Sequence, residues 1–159
     1  MSESSAAPRD IEWLRRAIAL SQRARAEGHH PFSAILVDEA GTMIAEAMNA
    51  SSTDRTAHAE MLALRKSACE PAGRLHGATL YCSAEPCAMC AGGAYWAGVG
   101  RVVYALSEEK LRMLTGNHPE NPTLSLPCRD VFARGQRMVE VLGPLLEGEA
   151  AEPHFGFWR

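Results

Sequence analysis

The stretch ATLYCSAEPCAMCAGGAYWAGVGRVVYA, residues 78–105, sets the fold. Ala78–Ser83 reads as a strand, Cys87–Ala97 as a helix and Arg101–Ala105 as a second strand. Strands separated by a helix are the repeating unit of a layered α/β sheet. The alternation extends towards the N-terminus. Asp10 is placed to cap a helix over Ile11–Glu27, with Leu14, Ala17, Ile18, Ser21 and Ala24 as its buried stripe and Gly28 as its stop. Phe32–Asp38 and Met43–Met48 read as strands joined by the turn Glu39-Ala40-Gly41-Thr42. That pair is a hairpin, so the sheet is expected to be mixed rather than wholly parallel. After a polar loop, Asn49–Arg55, Thr56 can cap a helix running to Glu70, ahead of Pro71. Towards the C-terminus come a helix over Ser107–Leu114, a Pro/Asn/Gly-rich loop over Gly116–Pro127 and a short helix over Cys128–Arg134. A strand over Arg137–Leu142, a helix over Leu145–Ala151 and an aromatic tail complete the chain.

There is no internal repeat and no low-complexity linker. Residues 10–159 therefore read as one domain, and polar residues 1–9 as a disordered lead rather than a signal peptide. Of the 159 residues 47% are hydrophobic, enough for a core, and no apolar run approaches the roughly 20 residues that span a bilayer. A net charge of -3 argues against a protein built mainly to grip phosphate backbones. The five cysteines, Cys69, Cys82, Cys87, Cys90 and Cys128, are an odd number. A reducing, cytoplasmic setting fits them better than a disulfide scaffold, and there a Cys-x-x-Cys pair points to metal or redox chemistry.

Thr56-Ala57-His58-Ala59-Glu60 and Glu85-Pro86-Cys87-Ala88-Met89-Cys90 carry the chemistry, each opening a helix after a loop. A spacing of three puts the Cys87 and Cys90 sulfurs on one side of a first turn, where the helix dipole favours thiolate. His58 adds an imidazole. Three protein ligands leave a tetrahedral ion one open position, the arrangement of a catalytic zinc. Glu60 sits among Ala59, Met61 and Leu62, an odd place for a merely solvated carboxylate. Two residues on a regular helix rotate by about 200°, so Glu60 cannot share the metal with His58, but at a first turn it can lie beside the site and move a proton. Two blander readings compete: a structural zinc with Cys82 or Cys69 as fourth ligand, and a redox pair that leaves His58 and Glu60 without a use.

With this pattern the chain resembles the cytidine deaminase superfamily, in the branch of cytosine, guanine and tRNA adenosine deaminases, from about Asp10 to Ala105. The resemblance implies a three-layer α/β/α fold around a mixed five-stranded sheet. It implies one zinc per chain on His58, Cys87 and Cys90, and Glu60 as proton shuttle. Water activated at the metal would attack the ring carbon bearing an exocyclic amine, ammonia would leave, and a carbonyl would remain. It further implies substrate contacts from Asn49, from Ala59 beside the ligand histidine and from the backbone near Ser83, and a homodimeric assembly. As plain residues, Asn49 also reads as a turn asparagine.

Substrate identity rests on thinner features. Phe32 and Trp96 could sandwich a flat base, although either could simply pack in the core. Pro31-Phe32 and Tyr95-Trp96 look more like guanine than tRNA deaminases. The acidic Leu145-Leu146-Glu147-Gly148-Glu149 has the wrong charge for an anticodon loop. The tail His154-Phe155-Gly156-Phe157-Trp158, with Phe157 at its centre, could close a pocket as a lid or pack on its own domain or a partner. Glu120, in the loop after the last matched strand, could read a purine edge. Three functions follow: deamination of a free nucleobase or related small amino-heterocycle, guanine or cytosine type; tRNA adenosine deamination; or a catalytically silent zinc module. Nucleic acid is the less expected partner, and no membrane is expected.

Overall fold

The computed structural model describes residues 6–159. Helix α1 (Pro8–Ala26) leads into the hairpin β1 (Ser33–Val37) and β2 (Met43–Met48), followed by α2 (Ala59–Lys66), α3 (Ala72–His76) and β3 (Thr79–Ala84). Then come α4 (Ala88–Ala97), β4 (Arg101–Leu106), α5 (Glu108–Thr115), α6 (Cys128–Ala133), β5 (Glu140–Leu142) and α7 (Glu147–Ala151). The strands form one five-stranded sheet in the order β2-β1-β3-β4-β5. β1 runs antiparallel to both β2 and β3, whereas β3, β4 and β5 are mutually parallel. This is the mixed, three-layer α/β/α arrangement expected.

Alternation along the strands separates two cores. Leu36, Leu80, Val102 and Tyr104 face α2, α4 and α6, meeting Ala63, Ala91 and Phe132. Ile35, Tyr81, Val103 and Ala105 face the other way, against Leu14 and Ile18 of α1, Leu111 of α5 and Ala150 of α7. Both faces of β1 and β3 are covered, which is why each reads as a continuous apolar run rather than an alternating one. Gly98 ends α4 in the left-handed region at φ 89°, a conformation that suits glycine, and Val99 N–H then returns to the Ala94 carbonyl.

Several boundaries differ from the sequence reading, each for a local reason. α1 begins at Pro8, so of the lead expected to be disordered Pro8 and Arg9 are helical, Ala7 is the N-cap and Ala6 packs on the core, while lead residues 1–5 lie outside the described residues. Asp10 is not the cap itself. It stands one turn in, where its carboxylate accepts the Ala7 N–H (3.1 Å), the Tyr81 hydroxyl (2.8 Å) and the Arg101 guanidinium (2.7 and 3.0 Å). Thr56 caps nothing, because Asp54 Oδ1 takes both its N–H (2.9 Å) and its hydroxyl (2.8 Å), and α2 starts at Ala59. The expected strand over Arg137–Leu142 shortens to Glu140–Leu142, since Arg137 is drawn onto the carbonyls of Val99 and Tyr95. α3 was not foreseen at all. No helix among the described residues is long and apolar enough to cross a membrane.

Candidate active site

Two helix starts meet at the C-terminal end of β3. His58 is the N-cap of α2 and Cys87 the N-cap of α4, both in extended backbone, with Cys90 one turn further along α4. The two helix N-termini therefore converge with their positive ends on one spot. Nδ1 of His58 lies 3.6 Å from Cys87 Sγ and 3.5 Å from Cys90 Sγ, and the three donor atoms lie within 4.8 Å of one another. A tetrahedral ion with Zn–N of about 2.0 Å and Zn–S of about 2.3 Å sets its nitrogen and sulfur ligands about 3.5 Å apart. The donor set and spacing fit zinc. Neither Cys69, exposed on the surface, nor Cys82 joins the cluster, so among the described residues the set stays at three protein ligands.

The electrostatics agree with this geometry. A hydrogen bond from the Cys90 thiol, with help from His58, pulls Cys87 down to about 4. Donation to Cys87 and burial push Cys90 upward, and hydrogen bonding to Cys87 raises His58. A proton is thus shared among three groups that a dication would bind in deprotonated form. Glu60, one place beyond the first residue of α2, is 5% exposed, and its Oε2 accepts from Cys90 Sγ at 3.5 Å. Because His58 is the cap and not yet helical, Glu60 escapes the opposite-face geometry of a regular helix. Burial pushes its carboxyl up to about 7, a value suited to taking and giving a proton near neutrality.

His58, Glu60 and Cys87 form the floor of a cavity of about 550 Å³, and Cys90 is buried next to them. Of the residues singled out from sequence, Phe32, Asn49 and Glu120 border it. Asn49 is 4% exposed, and its carbonyl oxygen is taken by the Ser51 N–H (2.9 Å) and hydroxyl (2.7 Å), bonds that do not use its amide nitrogen. Glu120 Oε2 reaches His30 Nε2 at 3.6 Å. Ala59 and Ser83 are buried beside the floor without bordering the cavity, and Ser83 Oγ accepts the Ser33 N–H (3.0 Å). Trp96 is not brought there. It is 86% exposed on the outer side of α4, because the inward face of that helix is spent on Cys90, Ala91 and Ala94. Phe157 is also absent from the cavity surface. It packs edge-on against His30 (5.8 Å) and Trp158 (4.8 Å), behind the wall. Trp158 in turn touches His30, Phe32 and His118, so the tail braces the wall of its own chain.

Two cavity carboxylates, Glu85 and Glu108, were given no role of their own in the sequence reading. Glu85 lies just past β3, and its carboxylate accepts the Glu108 N–H (2.9 Å) and the Cys128 N–H (3.0 Å), joining the starts of α5 and α6. Glu108 opens α5 just past β4; it is 8% exposed, and its Oε2 has no hydrogen-bond partner. Burial, reinforced by the charge of Glu85, pushes Glu108 up to about 8. Their position beyond the carboxyl ends of two adjacent parallel strands, where open α/β sheets bind ligands, was the signal that could have found them.

Fold and site together define a zinc hydrolase built on a mixed sheet. The pattern of the cytidine and deoxycytidylate deaminase zinc-binding region matches residues 8–106, and the chain belongs to that family. It is 42% identical over 159 residues to the "Probable cytosine deaminase" of Schizosaccharomyces pombe, covering 99% of this chain and 98% of that protein. It is 41% identical over 104 residues to the tRNA-specific adenosine deaminase of Haemophilus influenzae, where the match spans 64% of this chain and 60% of the relative. The structure of guanine deaminase from Nitrosomonas europaea superposes with a TM-score of 0.70 at 28% identity, over 94% of this chain and 83% of that one.

Proposed function

We propose that this protein is a zinc-dependent aminohydrolase that replaces the exocyclic amine of a free nucleobase or related small amino-heterocycle, guanine or cytosine type, with a carbonyl oxygen. The observation that carries this reading is the convergence of His58 Nδ1, Cys87 Sγ, Cys90 Sγ and Glu60 Oε2 on one cluster, three members of which, His58, Glu60 and Cys87, border the cavity. His58, Cys87 and Cys90 would hold the ion, which when bound supplies Lewis-acid activation of water. Glu60 carries the proton: its carboxylate takes one from the attacking water, gives it to the ring nitrogen and then assists protonation of the departing amine. The water oxygen first bonds to the ring carbon while the ring nitrogen keeps the first proton; the second water proton then goes to the amine, the C–N bond breaks, and ammonia leaves as the carbonyl forms. Phe32 and Asn49 are the side chains proposed to meet the ring. The wall is continuous with a tail that packs on its own chain, and the full-length similarity to a protein named as a cytosine deaminase favours a small substrate.

The identity to a tRNA-specific adenosine deaminase supports a second reading, but over 104 residues rather than the full 159. Measuring ammonia release from cytosine, guanine, adenine, their nucleosides and a tRNA anticodon stem-loop separates the two. Turnover of a free base is expected; turnover of the RNA alone would refute the first reading. A reducing, cytoplasmic setting suits thiols held as metal ligands. The outer face of α4, with Trp96 and Met89 exposed, is the surface proposed to meet a second copy in a homodimer, and a monomeric sedimentation mass would refute that.

A further inference from the structure

We infer that Glu108 reads the substrate: its carboxyl pairs with the amide edge of the ring, an N–H and a C=O side by side, while the exocyclic amine is presented to Glu60. This rests on the reading of the cavity as a base-deaminating site. Glu108 borders the cavity yet is more than nine-tenths buried, and its Oε2 is one of only two unpartnered buried side-chain polar atoms among the described residues. Leaving such an atom unpaired is unfavourable unless something else pairs with it. Its surroundings supply no protein partner. Glu85, whose charge acts on Glu108, already accepts the Glu108 backbone N–H and the Cys128 N–H, so the Glu108 side chain is left over. No basic side chain pairs with it, and burial beside Glu85 holds it protonated. A protonated carboxyl offers one O–H donor next to one carbonyl acceptor. That is the complement of a lactam edge, which cytosine and guanine both carry, and a poor complement of a phosphate or carboxylate. Glu108 borders the same cavity as His58, Glu60 and Cys87.

The test is equilibrium binding by calorimetry to the zinc-loaded Glu60→Gln protein, which holds ligands without turnover. Cytosine is compared with 4-aminopyrimidine, and guanine with 2-aminopurine; the second member of each pair lacks the lactam edge. The parent is expected to prefer one lactam base over its partner by at least about tenfold. Glu108→Gln, a neutral donor–acceptor pair of the same shape, should keep that preference, and Glu108→Leu should reduce it to within about twofold. Melting temperature and zinc content report folding, and Glu108→Ala, a good helix former with no polar side-chain atom, replaces the leucine variant if that one fails to fold. An unchanged preference in the leucine or alanine variant overturns the inference alone, as does its loss in the glutamine variant. No binding of any of the four compounds to the parent overturns both this inference and the base-deaminase reading.

Discussion

The floor and the wall of the cavity are built differently. On the floor, His58, Glu60, Cys87 and Cys90 each stand within one turn of a helix start, and two helices packed on the sheet hold them. The wall from Pro119 to Leu124 has neither helix nor strand. It is tied down by a few side-chain bonds, among them Asn121 to Thr123 (2.9 Å) and Arg112 to Ser125 (3.1 Å), and by the His30–Glu120 contact and the aromatic tail behind it. Reacting atoms need placement to a fraction of an ångström, which regular elements provide; a wall that selects among ring shapes can be loop, and can vary without disturbing the chemistry.

Substitutions on the two sides should therefore fail in different ways. Glu60→Gln is expected to lower kcat by about 10²- to 10⁴-fold while zinc stays near one per chain and KM moves little. Steady-state kinetics with metal analysis checks this, and a variant that lost its zinc as well would blur the floor's division between ligands and proton carrier. On the wall side the effect should be on stability. His154 is 2% exposed behind Phe32 and Trp158, and burial pulls it down to about 4 from an ordinary 6.5. Above about pH 6.5 its contribution is fully present. As pH falls towards 4 the unfolded chain takes up a proton that the folded one refuses, so roughly 3 kcal/mol should be lost across that window. Urea titrations at stepped pH should show the slope in the parent and a flatter one in His154→Phe. The smallest effect is expected at the rim. Glu120 is two-thirds exposed at its side chain, and Glu120→Gln should change KM by less than about threefold with kcat unchanged. A tenfold rise would mean that the rim holds substrate directly.

The same contrast governs what the sequence disclosed. Floor chemistry is written in local spacing: Cys87 and Cys90 three apart, His58 and Glu60 two apart, each pair at a helix start. The sheet was legible from short, continuous apolar runs because β1 and β3 are buried on both sides. Wall chemistry depends on contacts between distant segments. Glu120 meets His30 and Trp158 meets His118 only through the fold, so no spacing announces them. Trp96 misled because aromatic character says nothing of orientation; its angular position on α4, opposite Ala91 and Ala94, was the deciding quantity. Glu85 entered only as part of the cysteine motif and Glu108 only as part of a helix, since what they do comes from lying beside each other at the ends of β3 and β4.

Glu85 carries a consequence for anyone who would re-engineer this enzyme. One carboxylate, two positions ahead of a zinc ligand, accepts the amide at the start of α5 and the amide at the start of α6. The loop between Thr115 and Cys128 is thus a cassette with one of its sockets built into the metal site. It can be exchanged for a loop of other shape and specificity provided both amides still dock on that carboxylate, whereas a graft that moves either docking point would detune the zinc along with the pocket.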